Sequence, residues 1–492
     1  MKVAAQQPVV SPAEPQPGDI PVEVFRRAMH RVADMIADYL SGVGEYPVVP
    51  RISPGDVRQA LPASGPAVAE PLDAILDDYQ RLIEPNTTHW NHPGFMAYFA
   101  NTGSAPGIMG EALAAALNVN AMLWRTGPAP TELEGLTCDW LRQWMGLPAE
   151  FKGHLNDTAS IGSLLALGAA RARLRDLQIR QKGMAGRADL PALRVYASEH
   201  AHSSIDKACL TLGVGLENLR KIPADQAFRM DPAALAAAIA EDKAAGRRPM
   251  AVVATVGTTS TTSVDPTPTI AELCRREQIW LHVDAAYAGV AAICPELRAQ
   301  MPGLEQADSL VTNPHKWLFV PVDCSVLFVR DEHALKEAFS LVPEYLRTSE
   351  SRVTNLMDLG VQLGRRFRSL KMWMVFRAFG LEGLQARIRG HCALAREFAA
   401  WVEAEPGFEL CAPVPFSTVC FRATPPMPSE AQNDFNERLL AAANSDGSFF
   451  ISHTKLGEQL VLRLCVGNLR TDRERLRATW RVLRDKCAEL RA

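Results

Sequence analysis

The sequence predicts an α/β protein: a mostly parallel sheet with helices on both faces, preceded by a helical segment and followed by a small α+β domain. Three observations predict it. Helical patterns alternate with short apolar runs between about residues 100 and 335, amphipathic helices without strands come before that region, and the rhythm changes after Leu370. With 492 residues, 47% of them apolar and 22% charged, the chain is long enough for about three units around a large core. Lys and Arg total 52 against 55 Asp and Glu, so charge gives no reason to expect nucleic acid or an anionic membrane as partner.

Residues 1–20 are rich in Pro, Gln and Ala without hydrophobic period and are expected to form a mobile arm. From Val22 to Leu40, Val22, Phe25, Met29, Val32, Ile36 and Leu40 recur at three- and four-residue steps, marking an amphipathic helix; a second runs around Leu72 to Leu82. This segment, 21–90, has too little core to stand alone and is expected to dock on something, a second subunit being one choice. The large α/β domain, 91–370, takes its strands from Leu193 to Ala197, Met250 to Val256, Ile279 to Val283, Ser309 to Thr312 and Ser325 to Val329. In the last domain, 371–492, helical patterns near 370–402, 429–443 and 472–490 enclose runs at Thr418 to Phe421 and Gln459 to Leu464.

No apolar run approaches the roughly 18 residues of a membrane span, and the first residues lack the apolar centre of a signal peptide. The ten cysteines (138, 209, 274, 294, 324, 392, 411, 420, 465 and 487) are dispersed, with no C-x-x-C pair, and read as reduced packing thiols. A cytoplasmic protein is expected.

The chemistry concentrates where strands end. In Leu281-His282-Val283-Asp284-Ala285-Ala286-Tyr287-Ala288-Gly289 a buried strand ends in an acid followed by small residues, and open α/β sheets bind ligands at the carboxyl ends of their strands. Asp284 there either caps the next helix or pairs with a group it keeps protonated, such as a heterocyclic nitrogen. Lys316, in Asn313-Pro314-His315-Lys316-Trp317, follows another apolar run; it is either a surface lysine with a buried stem or a desolvated amine able to form a Schiff base.

An anion site is suggested by Asp157-Thr158-Ala159-Ser160-Ile161-Gly162-Ser163 before the helical run Leu164 to Leu174, although such residues are usually plain caps and Asp157 would repel a phosphate unless turned away. His200 and His202 have no third ligand cluster for a metal, so one of them stacking on a planar ring fits better. The stretch Val253 to Ser260 ends a strand in hydroxyl residues near the same rim.

With these residues assembled, the sequence resembles the group II pyridoxal-phosphate-dependent decarboxylases, on the side of the aromatic-L-amino-acid decarboxylases. The likeness runs from about Pro21 to Leu490 and includes TELE at 131–134, AHSS at 201–204, HVDAAYAG at 282–289, NPHKW at 313–317, DCS at 323–325 and LGRRFRSLKMW at 363–373. It implies an aspartate aminotransferase-like fold assembled as a homodimer, with N-terminal helices embracing the partner and the active site at the interface.

It further implies pyridoxal 5'-phosphate held as a Schiff base by Lys316, with Asp284 on the ring nitrogen and His202 stacked on the ring. Ala159, Ser160 and Asn313 would hold the phosphate, with Thr259 and His315 close to the cofactor. Tyr345 would be the proton donor to the substrate carbon. Relatives that make aldehydes tend to change this tyrosine or the stacking histidine; both are present here, so an amine is the expected product, with aldehyde synthesis as an alternative.

The substrate wall implied by the resemblance comprises Tyr98 and Phe99, with Trp124 nearby. Asn101 stands where close relatives have threonine, Ala105 where they often have tyrosine and Val322 where they often have phenylalanine; a glycine at the Gly364 position goes with indole rings. The expected substrate is tryptophan, 5-hydroxytryptophan, dihydroxyphenylalanine, tyrosine or phenylalanine. Arg125, beside Trp124, supports the alternative of an acidic amino acid unless it bridges to Glu132 or Glu134.

Overall fold

The computed structural model describes residues 18–341 and 353–492, which fall into two units divided after Thr88. In the first unit the amphipathic period produces the helix Val22–Gly42, none of whose residues is buried; Val22, Phe25, Met29 and Ile36 remain exposed. Arg31 ties it to the helix Leu72–Asp78 through Asp73 at 3.0 Å and Asp77 at 2.5 Å. These exposed ion pairs contribute little, about 0–1 kcal/mol each.

The second unit is built on a seven-stranded sheet of β1 (Lys152–Asn156), β2 (Leu193–Ser198), β3 (Leu219–Ile222), β4 (Arg248–Thr255), β5 (Trp280–Asp284), β6 (Ser309–Thr312) and β7 (Ser325–Val329). Their spatial order is β1-β7-β6-β5-β4-β2-β3. β2 pairs in parallel with β3 and β4, as do β4 with β5 and β5 with β6; β7 runs antiparallel to both neighbours.

The apolar runs are continuous because both faces are covered. Tyr196, Val252, Ala254, Leu281, Val283 and Leu310 pack into one core, while Val195, Ala251, Val253, Trp280 and Val311 pack into the other. This is the two-residue alternation of a strand with no wet side. On the second face the helix Ala159–Ala172 lies close to β6: a Cβ at Gly162 would meet Val311 Cγ2 at 2.6 Å, so glycine sets that spacing.

The C-terminal region forms a four-stranded antiparallel sheet, in the order β10-β11-β9-β8, from β8 (Phe408–Leu410), β9 (Thr418–Ala423), β10 (Ser452–Leu456) and β11 (Gln459–Cys465). The helical stretch Arg368–Ala404 leading into it is interrupted at Gly380, whose φ of 63° and ψ of 170° only glycine adopts readily. β1, β3, β8 and β10 were not anticipated. They are short and, as in Lys-Gly-His-Leu-Asn and Ser-His-Thr-Lys-Leu, mix charged with apolar residues.

Candidate active site

The parallel strands deliver their carboxyl ends to one rim, where a cavity of about 200 Å³ opens. β5 ends at Asp284 in register with Thr255 of β4 and Val311 of β6. Lys316 follows β6 by four residues, inside a short helical turn, Pro314–Trp317, that proline starts. The two segments are bound together where the sheet ends: Ala285 N–H donates to Val311 O and Asn313 N–H to Ala286 O, each at 3.0 Å.

Lining the cavity are Phe99, Ala159, Ser160, His202, Thr259, Asp284, Asn313, His315 and Lys316, nine residues singled out from sequence. Thr255, Gly257 and Tyr287 line it as well and were missed as site residues, although Tyr287 lies within the HVDAAYAG segment.

Lys316 Nζ sits 5.1 Å from the centroid of the Phe99 ring. Burial pushes the amine's pKa down, opposed by Asp284 and aided by Arg463. Asp284 is 5% exposed and accepts the Ala286 amide at 3.2 Å. Phe99 stacks on Tyr287 at 3.9 Å and Tyr287 on Trp317 at 4.7 Å, so the lysine's neighbour is locked into an aromatic pile. Trp317 in turn donates its indole N–H to His391 Nδ1 at 2.9 Å.

His202 Nδ1 accepts the Ser204 amide at 3.1 Å, which leaves Nε2 as the protonated nitrogen; burial lowers its pKa. Asp157 does not face an anion at the helix start. It turns onto Thr158, accepting that residue's amide at 2.5 Å and hydroxyl at 3.0 Å. The first amides of the helix Ala159–Ala172 are left without an intrahelical partner, as at any helix start.

Five further candidates lie off the cavity lining. Tyr98, 54% exposed with φ of 52°, stacks against Trp90 at 6.0 Å. Trp124 donates its indole N–H to Glu132 at 2.7 Å, Val322 is 55% exposed, and Gly364 lies on a separate groove with Asn120 and Arg366. Asn101 is half-buried, its Oδ1 without a hydrogen-bond partner among the described residues, and is likewise absent from the lining. Tyr345 lies outside the described residues.

Arg125 does not make the expected bridge. Glu132 takes the Trp124 indole and Glu134 takes Arg365 at 2.6 Å, leaving the Arg125 side chain exposed.

Burial holds several ring pKa values low: His315 at about 3, and His154, His282 and His391 at about 4. Below the ordinary value of about 6.5 the unfolded chain takes up protons on these rings that the fold refuses. Stability therefore falls as pH drops from about 6.5 to about 4, and each such ring is worth about 3 kcal/mol. Cooperative unfolding between about pH 6 and pH 4, followed by circular dichroism, is the expected result; ellipticity unchanged at pH 4 would contradict it.

Comparison with known proteins bears on this site. Residues 54–424 match the pyridoxal-dependent decarboxylase conserved domain. Tyrosine decarboxylase 2 of Narcissus pseudonarcissus is 40% identical over 483 residues, 96% of this chain and 95% of its own, and phenylacetaldehyde synthase of Arabidopsis thaliana is 39% identical over 481 residues, 95% of this chain and 96% of its own. A crystal structure of Oryza sativa TDC with PLP and tryptamine superposes with a TM-score of 0.93 at 37% identity, covering 97% of this chain and 100% of that one.

The cavity fits the cofactor those names imply. It offers a desolvated primary amine, a buried carboxylate and a helix N-terminus on one small space, and two lining residues keep a buried polar atom with no partner among the described residues, Thr255 Oγ1 and Asn313 Oδ1. A polar occupant would satisfy such atoms; an apolar one would leave them stranded. The family match across most of the chain and this chemistry agree: the chain belongs to the pyridoxal-dependent decarboxylase family and is a carboxy-lyase that uses pyridoxal 5'-phosphate.

Proposed function

We propose that the protein decarboxylates an aromatic L-amino acid to the corresponding amine and carbon dioxide, as a cytosolic homodimer. The observation that carries this reading is the convergence of Lys316, Asp284 and His202 on one cavity walled by Phe99. In it, Lys316 binds the cofactor aldehyde, Asp284 holds a proton on the ring nitrogen, and His202 covers the ring. Ala159, Ser160 and Asn313 hold the phosphate, with Thr259 and His315 beside it. When bound, the cofactor supplies an electron sink for the bond to the departing carboxylate.

The chain's own residues prepare that chemistry. Burial favours the neutral, nucleophilic form of the Lys316 amine. The Ser204 amide fixes the His202 tautomer, leaving Nε2–H as the donor of this cavity-lining ring. His315 accepts the Cys324 amide through Nδ1 at 2.9 Å and stays neutral beside Lys316, so it adds no charge to the site.

The aromatic substrate is supported by the Phe99–Tyr287 wall and by the lining, which holds no arginine among the described residues. The homodimer is supported by the apolar residues that the helix Val22–Gly42 leaves exposed, and a reducing compartment by the ten free cysteines. Tyr98, Asn101, Trp124, Val322 and Gly364 lie off the cofactor cavity within one chain and belong in this reading to the outer substrate pocket of the homodimer, and Tyr345 would return the proton.

The test is a panel of tryptophan, dihydroxyphenylalanine, tyrosine, phenylalanine and glutamate with enzyme reconstituted with pyridoxal phosphate, monitoring amine, oxygen and peroxide. The expected result is an aromatic amine equimolar with carbon dioxide, no oxygen uptake, and kcat/KM for glutamate lower by at least about 100-fold. Faster turnover of glutamate, or peroxide equimolar with carbon dioxide, would overturn it.

A further inference from the structure

We infer that Arg463 is a positioning residue of the active site: from the small C-terminal sheet it clamps the aromatic wall at Tyr98 and Phe99 to the Thr259–Ser260 turn and holds a fixed positive charge near the Lys316 amine. This rests on the reading of Lys316 as the cofactor lysine.

Arg463 lies on β11, paired with Cys420 of β9 and Ser452 of β10, and is only 3% exposed. Its guanidinium reaches out of that sheet to two separate segments. Nη1 donates to Tyr98 O at 2.7 Å and Nε to Ser260 O at 3.0 Å, while Cζ stands 4.7 Å over the Phe99 ring. Lys316 Nζ lies 5.1 Å from the centroid of that same ring.

A buried arginine with two carbonyl acceptors and no carboxylate partner among the described residues is an expensive way to fill space, so its surroundings call for an account. Tyr98 supplies part of it. Its φ of 52° is a conformation that a bulky side chain rarely adopts, and the Arg463 fork holds its carbonyl in place. The Ser260 carbonyl is doubly held, since Cys420 Sγ also approaches it at 3.2 Å, and Ser260 Oγ pairs with Thr454 Oγ1 at 2.8 Å. Ser260 follows Thr259, which lines the cavity.

One donor remains. Arg463 Nη2 is buried without a hydrogen-bond partner among the described residues, so its charge is not consumed locally. Asp284 and Cys465 favour the protonated Lys316 amine and Arg463 opposes it; His202 and His315, whose pKa values burial lowers, are the other titratable groups among the described residues that interact with it. A planar fork does both jobs at once; a lysine at this position would carry the charge without the two-carbonyl geometry.

The experiment compares Arg463→Met and Arg463→Lys with the unmutated holoenzyme, by pH titration of the cofactor absorbance band and by steady-state kinetics. For Arg463→Met the midpoint of the titration rises by roughly half to one pH unit and kcat/KM falls by about 100-fold. For Arg463→Lys the midpoint returns to the original value, whereas kcat/KM stays depressed by about 10-fold. A variant that merely loosened the fold would not move the titration midpoint and recover it with lysine. An unchanged midpoint and kcat/KM in both variants overturn the inference. If borohydride reduction of the unmutated enzyme labels a residue other than Lys316, the underlying reading falls instead.

Discussion

Replacing Lys316 with alanine abolishes turnover: kcat/KM falls by at least about 10⁴-fold, the cofactor is no longer trapped by borohydride, and circular dichroism and the unfolding midpoint stay as they were. The combination follows from where the side chain lies. Its Nζ stands 5.1 Å from the centroid of the Phe99 ring, on the cavity, and it makes no ion pair among the described residues. Removing it also removes a desolvated amine, which costs the fold nothing. The turn that carries it is fixed by other residues, through the Trp317 indole on His391 and the Asn313 amide on Ala286.

Asp284→Asn should separate the roles. An asparagine can still accept the Ala286 amide at the same place, yet it cannot hold a proton on a ring nitrogen by charge. The expected result is a kcat lower by about 100-fold or more with KM changed far less. Residual activity above about one percent in Lys316→Ala, or a borohydride label that persists in it, would remove the central residue from the mechanism.

How much of this was legible in the sequence depends on distance along the chain. Asp284 and Lys316 each close a short apolar run, and the rule that ligands sit at the carboxyl ends of parallel strands places them together without any contact being known. His202 follows β2 by the same argument, whereas Ser160 was marked by the hydroxyl residues that precede a helical run. Arg463 gave no such signal. It sits between two leucines in a C-terminal strand, and its partner Tyr98 is 365 residues away, so nothing local distinguishes it from an ordinary strand residue.

The same holds for Glu134, whose partner Arg365 is 231 residues distant; the TELE motif was visible, its purpose was not. The bridge expected from Glu132 or Glu134 to Arg125 failed because closer donors, the Trp124 indole and Arg365, claim both carboxylates. β1 escaped notice because its inner residues, His154 and Asn156, are polar and become buried only by pairing across the molecule.

That buried pair sets the second large effect. Glu134 and Arg365 meet at 2.6 Å with both side chains almost wholly buried, and the Leu155 amide adds a bond to the same carboxylate oxygen at 2.9 Å. Burial by itself would raise the Glu134 pKa; Arg365 and His154 outweigh it and hold the group at about 2. Arg365→Met strands the carboxylate and should cost about 3–5 kcal/mol at neutral pH, read as a lower urea midpoint. Glu134→Gln with Arg365→Met together should recover much of that loss, since the pair removed as a unit leaves no uncompensated charge.

The pH dependence supplies a sharper test. In the unmutated chain the contribution of Glu134 is full above its ordinary pKa of about 4.5 and is lost as pH falls towards 2. His154, 3.1 Å from Arg365 Nη1, stays neutral because burial and then the guanidinium hold its pKa at about 4. Without Arg365 it is free to take a proton beside Glu134, so the Arg365→Met deficit should shrink as pH falls from about 7 to about 5.5. A deficit that grows instead over that interval would mean that His154 does not take over the charge. Because β1 runs on from His154 through Asn156 to Thr158 and the first residues of the helix Ala159–Ala172, the same substitution should also weaken cofactor binding, by about 10-fold in equilibrium dialysis.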